Sequence, residues 1–191
     1  CFGHKIAGNW VAWGMNDYGQ LAVGHTTDQL APVDVPLLLT DTLYIDCGRR
    51  HCFGLKNTGH WVAWGKGNGG ELGLGTHSHH STPQNVSLLG TDTVSIALGA
   101  YHTLGVKASG AVVAMGAGGY GQLALGDGRN KLSPTHVPLL GTPTRCMWRL
   151  LLLCFKGLGR LGFLGFEFVW TASPRSHRRP SIFPTKRVAR S

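Results

Sequence analysis

Three features of this sequence could carry chemistry. Gly-x-Gly-x-x-Gly occurs twice, at residues 65–70 and 116–121. A His-Ser-His-His run stands at 77–80, and a Gly-x-x-His step ends in His51 and again in His102. The glycine motif binds a dinucleotide only between a strand and a helix whose N-terminus meets the pyrophosphate. No helical apolar period follows either copy, so both are read as turn glycines and no cofactor is expected. Zinc sites combine histidine with Cys, Asp or Glu at ligand spacing, and none stands close to His77, His79 and His80 in sequence. The run is read as a solvated loop, and no metal is expected. His51 and His102 could serve as general bases, yet they hold equivalent positions on an apolar face beside Phe53 and Leu104. A histidine demanded at each recurrence belongs to the scaffold, where an imidazole hydrogen-bonds its neighbours. No Ser/His/Asp or Cys/His arrangement and no carboxylate pair stands out. The expectation is a protein that is not an enzyme.

The elements that position these residues follow a repeat. GRRHCFGLKNTGHWVAWGKGNGGELGLG at 48–75 returns at 99–126 as GAYHTLGVKASGAVVAMGAGGYGQLALG, 51 residues on and without insertion, and its second half fills residues 1–24. Gly14, Gly65 and Gly116 correspond, as do Pro32, Pro83 and Pro134, and the last match is Thr144. Such a period marks units that bury their faces only against neighbours. Within a unit the apolar pattern has period two, the mark of half-buried strands. Leu43, Ile45 and Cys47 fall on one face and Thr42, Tyr44 and Asp46 on the other. His51, Phe53 and Leu55 alternate with Cys52, Gly54 and Lys56. Asn57, Thr58 and Gly59 read as a turn into the aromatic strand 61–64, and residues 66–75 as a loop. The segment containing Pro83, then Val86 to Leu89, reads as the link to the next unit. Three or four short strands per unit describe the blades of an all-β propeller. Trp13 and Trp64, with Met115 as their counterpart, read as packing between strands or blades.

The 191 residues carry a net charge of +9, but residues 1–144 hold eight Lys/Arg and eight Asp/Glu, whereas residues 145–191 hold ten Lys/Arg and only Glu167. The excess lies in the tail, and no nucleic-acid site is expected in the repeats. Cys1, Cys47, Cys52, Cys146 and Cys154 form no Cys-x-x-Cys pair and leave an odd thiol. That pattern suits a reducing, intracellular setting, cytoplasmic or nuclear. The chain opens mid-repeat at Cys1 and is expected to be a fragment. After Thr144 the register fails: Leu150 and Leu153 stand where the repeat needs Gly and His. Residues 145–191 are expected to be a disordered basic tail or the product of a frame shift or unspliced segment. Residues 150–170 could span a bilayer by length. Lys156, Arg160 and Glu167 lie inside that stretch, and each charge near the centre costs about 2.5–3.5 kcal/mol, so no membrane is expected. Arg178-Arg179 and Lys186-Arg187 are the tail's candidates for phosphate contact or nuclear import.

The repeated residues resemble the repeat of the regulator of chromosome condensation (RCC1) family of β-propellers. The resemblance rests on Gly-x-x-His at 48–51 and 99–102, Val-Ala-Trp-Gly at 11–14 and 62–65, and Gly-Gln-Leu-x-x-Gly at 19–24 and 121–126, with Glu71 replacing Gln in the middle copy. It covers residues 1–144 and implies about three blades of a ring that closes with about seven. Missing blades or self-association are therefore expected to cover the open sides. Ultraviolet-receptor members place tryptophan inside the Gly-x-x-His step, where this chain has Arg49-Arg50 and Ala100-Tyr101. Gly48, His51, Trp64, Gly65, Gly99, His102 and Gly116 are read as structural repeat residues. Function is expected in loops on the rigid scaffold, and the candidates are Met15, Asn16, Asp17, Tyr18, Lys66, Asn68 and Tyr120, whose positions differ between blades. The resemblance implies a protein-interaction scaffold with a protein partner. Its alternatives are guanine-nucleotide exchange on a Ran-like small GTPase at chromatin, or the targeting propeller of a larger ubiquitin ligase. The exchange activity uses a projecting insertion, for which the unvarying period leaves no room in these blades.

Overall fold

The computed structural model describes residues 1–6, 8–38 and 40–138. The expectations for Thr144 and the tail, including Cys146, Cys154, residues 150–170 and both basic pairs, lie outside the described residues. Among the described residues, three antiparallel sheets follow the repeat. Blade 1 comprises β1 (Phe2–His4), β2 (Trp10–Gly14) and β3 (Gln29–Asp34). Blade 2 runs β4 (Thr42–Cys47), β5 (His51–Lys56), β6 (Trp61–Gly65) and β7 (His80–Asn85). Blade 3 repeats it with β8 (Thr93–Leu98), β9 (His102–Lys107), β10 (Val112–Gly116) and β11 (Lys131–His136). Each strand pairs with its successor in sequence within its blade, as short turns dictate. Gly59, at φ +82°, closes the β5–β6 turn and donates its N–H to Lys56 O at 2.9 Å.

The strand pattern needs two corrections. Leu43 does not share the buried face of Ile45: the β4–β5 register passes from Thr42↔Lys56 to Tyr44↔Leu55, so Leu43 is the extra residue of a bulge and stands exposed. Val94 does the same in β8. The segment containing Pro83 is no link but the outer strand β7. Its pairing to β6 breaks between Ala63 and Gly65, and Pro83 sits in that break, where a missing N–H does no harm. The links themselves are single 3-10 turns, Pro36–Leu38 and Ser87–Leu89, which bury Leu38 and Leu89.

Period-two alternation sends the side chains of blade 2 to two neighbours. Between blades 1 and 2, Leu21, Val35 and Leu38 pack with Cys52, Val62 and Trp64. Between blades 2 and 3, Phe53, Trp61, Leu72 and Val86 pack with Ile96, Val113 and Met115. Polar atoms crossing these cores are satisfied, each bond worth about 0.5–1.5 kcal/mol net. Trp10 Nε1 donates to Thr42 O at 3.0 Å, and its counterpart Trp61 Nε1 donates to Thr93 O at 2.8 Å. Gln20 O accepts from Trp64 Nε1 at 3.0 Å. The glycine-rich loops of blades 1 and 2 dock on the outer strand of the next blade: Gly24 N–H donates to Ser81 O at 3.0 Å, and Gly75 N–H to Leu132 O at 2.8 Å.

Candidate protein-interaction surface

The Gly-x-x-His turns lie beside the loops that follow β2 and β6. In the middle turn Gly48 N–H donates to His51 O at 2.9 Å, and the His51 ring packs so tightly on Gly48 that a side chain there would overlap it. The end of β6 supports the turn from below. Lys66 N–H donates to Arg50 O at 2.8 Å, and a Cβ on Gly65 would stand 2.5 Å from that oxygen. The fixed residues of the repeat thus hold the backbone of Arg49 and Arg50.

Their side chains meet aromatic rings from the flanking blades. Arg50 reaches back to blade 1: its guanidinium lies 4.9 Å from the Tyr18 ring centre, donates from Nη1 to Tyr18 Oη at 3.2 Å, and stands 3.5 Å from Asp17. Arg49 reaches forward to blade 3, donating to the Tyr101 hydroxyl and lying 5.6 Å from its ring centre. Lys66 Nζ stands between the rings, 4.8 Å from the centre of Tyr101 and 6.0 Å from that of Tyr18. The buried Glu71 carboxylate lies 3.3 Å from Lys66 Nζ, and His79 packs edge-on against Tyr18 at 4.8 Å. Three cations thus share two rings and two carboxylates, and cation–ring contacts of this kind contribute about 0.5–1 kcal/mol each at exposed sites. The arrangement holds long cationic side chains in fixed geometry at the surface, which suits recognition of carboxylates or other anionic groups on a partner.

The expected residues divide unevenly. Asp17, Tyr18 and Lys66 come together in this cluster. Met15, Asn68 and Tyr120 are exposed but stand outside it. Asn16 is buried: its amide donates to His25 O and Thr27 O at 2.8 and 3.1 Å, and its Oδ1 accepts from Leu21 N–H at 2.9 Å, so it shapes the loop from within. Gly99 and Gly116 support the Tyr101 turn as Gly48 and Gly65 support Arg50, and Trp64 is enclosed between blades 1 and 2. Arg49, Arg50 and Tyr101 were not among the expected surface residues. Their signal was in the sequence all the same, since the two inner positions of Gly-x-x-His vary between copies while the flanks repeat.

Beneath the cluster, burial disfavours the charged form of the two repeat histidines, His51 and His102. His51 Nε2 lies 3.1 Å from Thr103 Oγ1 of blade 3, whose hydroxyl donates to Glu71 O at 3.0 Å. Burial, then the charges of His102 and Lys66, lowers the His51 pKa to about 4. Burial also lowers that of His102, and desolvation raises that of Asp46 at the edge of the turn. His77 Nδ1 lies 2.7 Å from Asn68 O, and His79 Nδ1 accepts from Gly67 N–H at 3.2 Å. Among the described residues no group of three His, Cys, Asp or Glu is placed to hold a metal ion. No helix among them is long and apolar enough to cross a membrane.

Comparison with known proteins agrees with this architecture. Models of the regulator of chromosome condensation (RCC1) repeat match residues 11–55 and 62–106, and a second model of that repeat matches 93–122. The ultraviolet-B receptor UVR8 of Arabidopsis thaliana is 33% identical over 144 residues, covering 72% of this chain and 33% of the receptor. The probable E3 ubiquitin-protein ligase HERC3 of Homo sapiens is 37% identical over 139 residues, covering 71% of this chain and 13% of the ligase. The chain thus spans a third or less of these relatives. Two solved structures share the fold. Prp20p from Saccharomyces cerevisiae has a TM-score of 0.64 at 21% identity, covering 72% of this chain and 36% of that one. Human WBSCR16 has a TM-score of 0.63 at 24% identity, covering 75% and 38%. With its blades, turns and interfaces all repeating the same motif, the chain belongs to the RCC1-repeat family of β-propellers.

Proposed function

We propose that this chain is a non-enzymatic interaction module, intracellular in setting, that binds a protein partner through the surface around Arg49, Arg50 and Lys66. The observation that carries the reading is the convergence of three cations and two tyrosines from three successive blades, at positions the repeat leaves free to vary. The test is affinity capture with the intact chain, the R49E/R50E/K66E variant and a control, Leu88→Glu, at an exposed position on the link between blades. Partners kept by the control and lost by the triple variant support the reading. Identical capture by all three proteins overturns it.

A second reading makes the chain the targeting propeller of a larger ubiquitin ligase, and the likeness to HERC3 favours it. A coding sequence that continues into a ligase domain would support it. The exchange-factor reading draws on Prp20p, described for its binding to Gsp1p and histones. A nucleotide-release assay with a Ran-like GTPase separates it: we expect no acceleration by this chain.

A further inference from the structure

Cys47 and Cys52 are five residues apart and fit no dithiol motif, yet the β4–β5 hairpin makes them directly opposed partners. The Gly48 N–H to His51 O bond closes the hydrogen-bonded pair at the turn. The next pair inward, Cys47↔Cys52, is therefore a non-hydrogen-bonded one. Opposed residues at such a position point to the same face, with Cα atoms about 4.5 Å apart, inside the span of about 4.4–6.8 Å that a disulfide bridges. The repeat does not demand this pair, since the same positions in blade 3 are Leu98 and Thr103. The two thiols differ in surroundings. Cys47 is exposed, whereas Cys52 is buried and its Sγ donates to Gln20 O at 3.6 Å.

We propose that Cys47 and Cys52 form a reversible dithiol–disulfide site that reacts with low-molecular-weight disulfides such as oxidised glutathione. The Cys47 thiolate attacks the external disulfide, forming a mixed disulfide and releasing one thiolate. The Cys52 thiol then gives its proton to that thiolate, and its sulfur attacks Cys47 Sγ and expels a second thiolate, which takes up the proton Cys47 had released to water. The protein loses two hydrogens, the external disulfide becomes two thiols, and the exchange balances. The order follows from access. Burial, then the neighbouring Cys47, raises the Cys52 pKa well above its ordinary value, so Cys52 acts second and only on a sulfur already beside it. Gln20 O keeps its bond from Trp64 Nε1 when the Cys52 donor is lost. The bridge therefore closes the base of the turn that carries Arg49 and Arg50 without opening the interface to blade 1.

The test equilibrates the full chain in glutathione buffers of graded oxidation, traps remaining thiols with N-ethylmaleimide, and maps cysteines by peptide mass spectrometry. The expected product is a Cys47–Cys52 bridge lighter by two hydrogens, with the turn at 48–50 exchanging its amide hydrogens more slowly than in the reduced chain. Cys52→Thr copies the residue blade 3 uses at this place and so keeps the fold. In it, a glutathione adduct should accumulate on Cys47, and in Cys47→Ser no adduct should form on Cys52. A wild-type adduct that persists on Cys47 without passing to Cys52 would overturn the proposal, as would preferential pairing of Cys47 with Cys1, Cys146 or Cys154. This readout does not depend on whether a partner binds at Arg49 and Arg50.

Discussion

The glycine-rich loops after β6 and β10 have nearly the same backbone but different surroundings. Gly70 and Gly121 are equivalent, at φ +89° and +76°. A Cβ on Gly70 would fall on the Lys131 carbonyl of blade 3, closer than real atoms approach, whereas one on Gly121 meets nothing within 4 Å among the described residues. Gly75 donates its N–H to Leu132 O, while among the described residues its counterpart Gly126 has no backbone acceptor. The Tyr18 ring is covered by Arg50 and His79, while Tyr120 at the same position is 99% exposed. The repeat therefore encodes two demands. One is local, the left-handed turn, and holds in every blade. The other is a close fit to the following blade, and among the described residues it operates only in blades 1 and 2.

The largest effect expected on this comparison comes from the core between blades. Trp64→Ala, which empties a fully buried site and leaves Gln20 O without its indole donor, should lower stability by about 3–5 kcal/mol in denaturant unfolding. Next, Gly70→Ala should cost more than about 3 kcal/mol, combining backbone strain with overlap on blade 3. Gly121→Ala should cost only about 1–2 kcal/mol, from its positive φ alone. Equal losses would break the comparison.

A smaller effect follows from His51. Unfolded, its imidazole takes up a proton near the ordinary value of 6.5; folded, only near 4. Stability is therefore intact above pH 6.5 and falls as pH drops toward 4, by about 2 kcal/mol between pH 7 and pH 5, with His102 acting in the same direction. His51→Gln should flatten that slope in thermal melts taken across the range. The smallest effect belongs to the rim. Arg50→Ala should change stability by less than about 1 kcal/mol, since its contacts to Tyr18 and Asp17 lie at the surface, while weakening partner binding.

Much of the fold was legible in the sequence because an unvarying period aligns the turn glycines Gly14, Gly65 and Gly116, and the histidines His51 and His102, of successive blades. What escaped notice depends on pairing across strands. Leu43 alternates correctly in sequence but is displaced by a bulge that only its register with Lys56 and Leu55 reveals. The segment containing Pro83 read as a link, yet it is the outer strand β7 with a break at that point. The candidate surface was half legible: Asp17, Tyr18 and Lys66 stood out as loop residues that vary. Arg49, Arg50 and Tyr101 lay inside a motif read as structural, and their meeting depends on the contact of three blades. Asn16 was indistinguishable in sequence from its exposed neighbours, because its burial comes from hydrogen bonds to backbone nine and eleven residues away.

The claim that the loops of blades 1 and 2 are held by the following blade, and that the third has no such partner among the described residues, is tested most directly by hydrogen exchange at single amides. In the intact chain the account predicts slow exchange at Gly24 and Gly75, whose N–H groups bond to Ser81 O and Leu132 O. At Gly126 it predicts fast exchange at the rate of an open loop. Protection of Gly126 equal to that of Gly75 at every protein concentration would contradict the account, because the outer side of the third blade would then be covered already.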